Sequence, residues 1–514
     1  MLRTVRKTTA LTSRAVASAP LRRPGAVNDT GDRRGIAGVT ANNGFTEMSS
    51  GVQHPLCRSE ENARLQDYEQ QVKQAFDGIV PTLKLISALQ HESDFERQAQ
   101  AIAREKLGFE LPTTILADAW VEQLDMRRLF AWCVFNTYQR FCDAFFATQI
   151  PPEQASDNFD LFLQSCGFHT MDITPCADGR LAHLVRYVLR LPPRAVRRKS
   201  YAGALFDVED SLEKWMEIEL QRFREGKPNT IDAPTRYLKV VAYHFSSGNP
   251  DHEGCAAHGS DTQKAAQAGL QRLINFRQAV ENSYCCGASI DLLLIGVDTD
   301  TDAMRIHIPD GDGQMELDRY VDTQNIYNET LRLDVSAAKR LLESEILTCA
   351  PDVSSGMEKL VTRLIENNLS QIAYVQNIHG ERYPDIGHAE RFIGAGVGFE
   401  DIQLRNLMYF AYLNTVEEGA ADMDVGIKIF TGLNVSHGLP VPIVVRFDYH
   451  GDVPGAKQRA QQRCGRVAQA IFERYETLYQ QGLLHVLQVA RDCDGNSPLE
   501  IFACSVNAPE VGGH

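Results

Sequence analysis

The chain has 514 residues, of which 43% are hydrophobic and 23% charged, and it carries a net charge of −15. That length allows about three domains with cores of their own. No apolar run approaches the roughly 18 residues of a membrane span, and the acidic balance argues against a nucleic-acid binder.

Charge is unevenly spread. The first 36 residues hold eight basic side chains (Arg3, Arg6, Lys7, Arg14, Arg22, Arg23, Arg33, Arg34) against Asp29 and Asp32, a surplus of +6 that leaves −21 for the rest. The segment has few large apolar groups to offset its chain entropy, so residues 1–55 are expected to form a disordered basic tail. Its composition suits an arm that docks on an acidic partner; an Arg-rich transit peptide and an inert leader are the other readings. The twelve cysteines are expected to be mostly buried thiols rather than a disulfide framework, with a small subset free for a metal.

From Ser59 to Gln149 the pattern is helical. Ser59 precedes Glu60 and Glu61, Ser93 precedes "DFERQAQAIAREKLG", and each serine is an expected N-cap. "MRRLFAWCVFNTYQRFCDAFF" reads as a long helix, and "PPEQASDN" as a linker. An all-helical domain over 56–150 follows.

After Ser156 strands enter. "FHTMDIT" is a short strand leading into "PCADGR"; "LAHLVRYV" places Leu181, Leu184, Val185 and Val188 on one helix face. "SLEKWMEIELQRFREG" is a surface helix and "RYLKVVAYHF" a core strand. A long helix is expected to start at an N-capping Ser260, and "SIDLLLIGVDTDTDAMRIHI" is a strand pair. Alternating strands and helices predict an α/β domain with parallel strands over 151–387. From about His388 the pattern repeats. "PIVVRFDYHGDVPGAKQRAQQRCGRVAQAIFERYETL" aligns with the stretch from Arg236, matching Tyr449-His450 to Tyr243-His244. Residues 388–514 therefore read as a degenerate copy, with no counterpart of "CADGR".

Cys176 follows a strand, so it can sit at the carboxyl edge of the sheet where sites gather. "VVAYHFSSGNPDHEGC" adds His244, His252 and Cys255. Cys176, Cys255 and one of the two histidines form a Cys2His set for zinc with a fourth position left open. Asp178 could take that position itself; Arg180, through a bidentate ion pair, can hold it back. Water bound to zinc then has a pKa near about 7, with Asp178 as its proton acceptor. A deaminase reading fails, because "PCADG" lacks the second cysteine of P-C-x-x-C.

C-x-D-x-R on such a turn, followed by a strand and a His/Cys pair, resembles the β-class carbonic anhydrases. With "CAAHGS", "CCGASIDLLLIGVDTDTDA" and "IGHAER", the chain from about 55 to 510 is similar to the carboxysomal shell branch of that class. The resemblance implies a helical N-terminal domain, a β-carbonic-anhydrase-like α/β catalytic domain and a C-terminal copy without metal. It implies reversible hydration of CO2 to bicarbonate, one Zn2+ per chain, ligands Cys176, His244 and Cys255, Asp178 as proton acceptor and Arg180 as its partner. The His-x-x-Cys spacing of ordinary β-class enzymes would instead select His252; the carboxysomal pattern selects His244. It further implies a homo-oligomer, at least a dimer, at the inner face of a carboxysome shell. There it would supply CO2 to Rubisco, with the tail meeting Rubisco or shell proteins. The rival is a shell adaptor with a vestigial or structural zinc.

Four motifs have blander readings. "VDTDTD" (Asp298, Asp300, Asp302) lacks the glycine and terminal glutamate of a calcium loop and reads as a strand end with a solvated acidic face. Cys285-Cys286 is expected to pack. "RAVRRK" (Arg194, Arg197, Arg198, Lys199) reads as a solvated turn, an anion site being the minority reading. "GHAERF" (His388, Glu390, Arg391) either approaches the active site or makes a domain-joining ion pair.

Overall fold

The computed structural model describes residues 54–147, 159–192, 196–230, 232–284, 289–399, 401–411, 416–495 and 497–507. The basic tail, Arg194 and Cys285-Cys286 lie outside them. Five helices come first: α1 (Ser59–Asp77), α2 (Ile79–Ser87), α3 (Phe95–Lys106), α4 (Thr113–Asp118) and α5 (Met126–Ala147). Each helix's N-cap position differs by one residue from the expected serine. The N-cap positions fall to Arg58 and Asp94. The Arg58 N–H donates to Ser370 Oγ at 3.1 Å, so a tertiary contact anchors that helix end.

A first sheet follows α6 (Phe159–Ser165). Its strands are β1 (Thr170–Pro175), β2 (Arg197–Arg198), β3 (Arg236–Phe245), β4 (Ser289–Asp298), β5 (Met304–His307) and β6 (Val321–Asp322), in the order β2-β1-β3-β4-β5-β6. The first four pair in parallel, and β5 and β6 are antiparallel. α7 (Val208–Arg224) leads into β3 and α8 (Thr262–Tyr284) joins β3 to β4. Nine of the ten residues of β3 are buried, as a strand covered on both faces requires. Ser260 has φ +63° and does not cap α8; Asp261 does, accepting the Lys264 N–H at 3.0 Å. "LAHLVRYV" is not an amphipathic α-helix either. A 3₁₀ turn over Gly179–Leu181 and a π turn over Leu184–Val188 replace it. His183 and Arg186 are buried with the apolar residues, so no face is left for water.

Helices α9 (Thr323–Thr330), α10 (Val335–Cys349) and α11 (Ser355–His379) connect to a second sheet of β7 (Phe392–Val397), β8 (Met408–Ala411), β9 (Val441–Phe447), β10 (Leu484–Ala490) and β11 (Glu500–Cys504). With α12 (Val416–Leu433), α13 (Ala456–Arg474) and the short α14 (Glu476–Gln480), the chain order is β7-β8-α12-β9-α13-β10-β11. The spatial order is β8-β7-β9-β10-β11, only β11 antiparallel. This repeats β1-β2-α7-β3-α8-β4-β5 and its sheet order strand for strand, so the second half is a copy of the first.

The copies align two residues away from the Tyr-His match. Phe245 pairs with Asp298 as Tyr449 pairs with Asp492. The Ser247 N–H bonds Asp298 Oδ1 at 3.0 Å as the Gly451 N–H bonds Asp492 Oδ1 at 3.0 Å. His244 therefore corresponds to Asp448, and through the β1–β3 and β7–β9 registers Cys176 corresponds to Val397. His450 lies two residues past Asp448, beyond the end of β9, and is an exposed side chain bonded to Asp494.

The five N-terminal helices share a core with the second sheet. Phe76 and Tyr138 lie 6.1 and 5.1 Å, centroid to centroid, from Phe392 of β7. The first sheet is closed by α8 and α11 instead.

Candidate metal centre

The site lies at the carboxyl ends of β1 and β3. Cys176 is the residue after β1, fixed by its N–H to Ala242 O at 3.1 Å. His244 is the penultimate residue of β3 and has no exposed surface. The loop after β3 returns Cys255 to the same edge, where its carbonyl accepts the His258 and Ser260 N–H groups. Cys176, His244 and Cys255 are all buried, and each places a ligand atom within 4.8 Å of the other two. The two sulfurs are 4.0 Å apart. His252 is exposed on that loop and outside the cluster.

These residues fit zinc on their own chemistry. Both ring nitrogens of His244 are buried with no hydrogen-bond partner, which is costly unless something else satisfies one of them. Two soft sulfurs and an imidazole are donors that zinc favours. The contact with Cys255, followed by burial, raises the Cys176 thiol well above its usual range; the same contact leads in lowering Cys255. Metal binding would take the protons from both. The Gly203 N–H donates to Cys176 Sγ at 3.2 Å.

Asp178 and Arg180 stand beside this set. Arg180 Nε and Nη2 reach Asp178 Oδ1 and Oδ2 at 2.9 and 2.8 Å, and the Arg180 backbone N–H adds 2.9 Å to Oδ1. Nη1 is spent on the Glu253 and Ile386 carbonyls at 2.6 and 3.1 Å, so the guanidinium is fixed from three chain segments. Burial pushes the Asp178 carboxyl up, but Arg180, then His244 and His388, hold it well below the usual range. Its Oδ2 is 3.4 Å from His244 Nε2.

The second half contributes residues that local sequence could not assign. His388 Nε2 lies 4.0 Å from Asp178 Oδ2, and its Nδ1 bonds Glu390 Oε1 at 2.9 Å. Glu390 Oε1 also accepts the Gly179 N–H at 3.2 Å. A Cβ on Gly179 would come within 2.4 Å of Glu390 Cγ, so glycine is required by that approach. Burial lowers the His388 pKa, but Asp178 and Glu390 outweigh it and hold it at about 9. Arg391, two residues on, pairs with Asp77 of α1 at 2.6 Å. Both readings of "GHAERF" thus hold, for different residues. Asn406 N–H to Gly179 O (2.8 Å) and Phe410 N–H to Ala177 O (3.1 Å) clamp the Cys176–Arg180 turn from β8 and its approach.

Two other motifs differ from expectation. Asp298, Asp300 and Asp302 are buried, not a solvated face. The turn folds inward because hydroxyls and backbone satisfy them: Ser247 and Thr301 on Asp298, Ser246 and the Gly248 N–H on Asp300, and His183, Tyr383 and Gln371 on Asp302. Arg197 and Arg198 are the edge strand β2, half-buried, and Lys199 is buried against Asp210. They line a cleft of about 580 Å³ that also reaches Val397, Gln403 and Phe410 of the second half. Arg198 donates to Ala182 O at 2.7 Å, so the group is tied to the segment just after Arg180 and is not a solvated loop.

Three family models together match most of the chain. Those described as Carboxysome Shell Carbonic Anhydrase, N-terminal, catalytic domain and C-terminal match residues 54–146, 158–388 and 389–506. Curated relatives carry the name "Carboxysome shell carbonic anhydrase". The Prochlorococcus marinus (strain MIT 9313) protein is 52% identical over 504 residues, covering 97% of this chain and 96% of the relative. That of Parasynechococcus marenigrum is 52% identical over 499 residues (96% and 86%), and that of Halothiobacillus neapolitanus 45% over 462 (88% and 90%).

Proposed function

Because the chain belongs to the carboxysome shell carbonic anhydrase family, we propose that it interconverts CO2 and bicarbonate at a zinc centre held by Cys176, His244 and Cys255. The observation that carries this is the buried convergence of two sulfurs and an imidazole whose nitrogens have no hydrogen-bond partner, beside a bidentate Asp178–Arg180 pair. Zinc held there supplies the Lewis acidity that makes water a nucleophile near pH 7. Asp178 is the proton acceptor: it is anionic at neutral pH, and the oxygen it turns toward His244 is the one nearest the ligand set. Arg180 keeps that carboxylate off the metal, since both oxygens are held by a guanidinium that is itself pinned to carbonyls. His388, with about a quarter of its side chain exposed, is the charged group between Asp178 and solvent, placed to meet the bicarbonate anion and to relay a proton.

In the carboxysome this activity supplies CO2 to Rubisco from bicarbonate. The chain works there as a homo-oligomer on the inner face of the shell, its basic tail meeting Rubisco or a shell protein. The test of the site is Cys176→Ser. A hydroxyl is a poor zinc ligand, so metal measured by emission spectroscopy and CO2 hydration by stopped flow fall together. Full zinc occupancy in this variant would sink the assignment.

A further inference from the structure

The Cys176 side of the site is closed by the loop from Tyr201 to Leu205. Tyr201 is tied to the catalytic strand, its N–H on Pro175 O at 3.2 Å and its carbonyl accepting the Ala177 N–H at 2.9 Å. Two residues on, Gly203 turns its N–H onto Cys176 Sγ at 3.2 Å. It does so at φ +65°, where a Cβ would come within 2.8 Å of His258 Nε2, so only glycine can present that N–H. Between them, the Ala202 N–H finds its acceptor in the other half of the molecule. It donates to Asp422 Oδ1 of α12 at 2.6 Å.

Asp422 is 7% exposed, and among the described residues no cation pairs with it. A buried carboxylate without a cation is expensive. Burial pushes its carboxyl up to about 6, and only the Ala202 N–H opposes that shift. Tyr409 of β8 donates its hydroxyl to the Asp422 carbonyl at 2.9 Å, which fixes the helix turn that carries the acid.

We propose that Asp422 is a positioning residue for the metal centre: by holding Ala202, it keeps the Gly203 N–H on the sulfur of Cys176. A hydrogen bond to a ligand sulfur stabilises the thiolate and fixes its lone pairs; losing such an outer partner costs 10–100-fold in metal affinity or activity. The half without the metal thereby sets the affinity of the half that has it.

This inference rests on the zinc reading above, and the experiment separates the two. The full-length wild type, Asp422→Ala and Asp422→Asn are loaded with zinc and titrated with a chelator, and loaded with Co2+ to record the sulfur-to-metal charge-transfer band. Asp422→Ala is expected to release zinc at about tenfold less chelator and to shift the band. Asp422→Asn, whose Oδ1 still accepts from Ala202, stays close to wild type. If Asp422→Ala does not fold, Asp422→Glu, which displaces the acceptor by one methylene, carries the same expectation. A wild-type chelator midpoint and band in the folded Ala or Glu variant overturns the proposal, as does an equal shift in Asn. Wild-type protein that takes up no zinc, or Cys176→Ser that keeps it, would instead overturn the zinc reading.

Discussion

At the scale of single residues, the proposed centre separates groups that would hold a metal from groups that would keep it open. His244 and His252 are eight residues apart on one segment, yet the first is sealed at a strand end and the second is exposed on the loop. His244→Ala is therefore expected to lose zinc and His252→Ala to keep it, as read by metal content of the purified variants; the reverse result would mean the loop folds back over the metal. Arg180→Ala gives a different signature. Asp178 loses its bidentate partner and is free to approach the ligand set, so zinc stays near one per chain while CO2 hydration is lost. Stability falls too, because removing one partner of a buried ion pair costs about 3–5 kcal/mol. Hydration at the wild-type rate would contradict the gating role. Cys176, Asp178 and Arg180 were legible as a set because a strand-to-helix turn brings residues two apart together by local geometry alone. Asp422 was not, since it reaches Ala202 across 220 residues of chain.

At the scale of elements, the duplicated sheet shows what becomes of a site that loses its metal ligands. Where the first copy has His244, the second has Asp448, and Arg446 fills the space two residues earlier. Arg446 is fully buried and bonds Asp448 at 2.8 and 2.8 Å, Asp401 at 2.7 and 3.0 Å and the Tyr138 hydroxyl of α5 at 3.0 Å. Its role is to neutralise two buried carboxylates and join the helical region to β9. Arg446→Met should destabilise the fold by about 3–5 kcal/mol, leaving Asp401 and Asp448 unpaired, without changing zinc content. Denaturant unfolding alongside metal analysis tests this; a zinc loss with unchanged stability would reverse the assignment. The copy was visible in the sequence from its strand–loop–helix pattern, but its register was not. Tyr-His is a short match, and only the ladder shows which residues oppose one another. Helix α11 buries polar groups whose partners are equally remote in sequence: Asn367, Asn368 and Gln371 are bonded to Leu189, Val188 and Asp302.

For the whole molecule, the basic segment 1–36 against an acidic remainder predicts a division of labour. Deleting 1–36 should leave CO2 hydration intact, because every residue of the site lies beyond it. Co-sedimentation with Rubisco, and secondarily with shell proteins, should fall. Binding by the full chain should fade with salt as the Debye length shrinks from about 10 Å at 0.1 M to about 3 Å at 1 M. Equal binding by the truncated and full chains at low salt would end this idea. The larger organisation has a comparable logic. The first sheet carries the candidate metal ligands, the second carries residues that reach toward them, and the N-terminal helices brace the second.

The sequence by itself determined the alternation of helices and strands, the existence of a copy, the C-x-D-x-R turn and the pair of candidate histidines. All of these depend on periodicity or on neighbours within a few residues, where the backbone alone dictates who meets whom. Only the tertiary structure decided that His244 joins the cysteines, that the aspartates of "VDTDTD" turn inward, and that Arg197 and Arg198 form an edge strand lining an inter-half cleft. It also decided that the N-terminal helices pack on the distant second sheet and not on the adjacent first. Those outcomes depend on which buried surfaces and polar groups find complementary partners across hundreds of residues, and no local pattern encodes the partner's address.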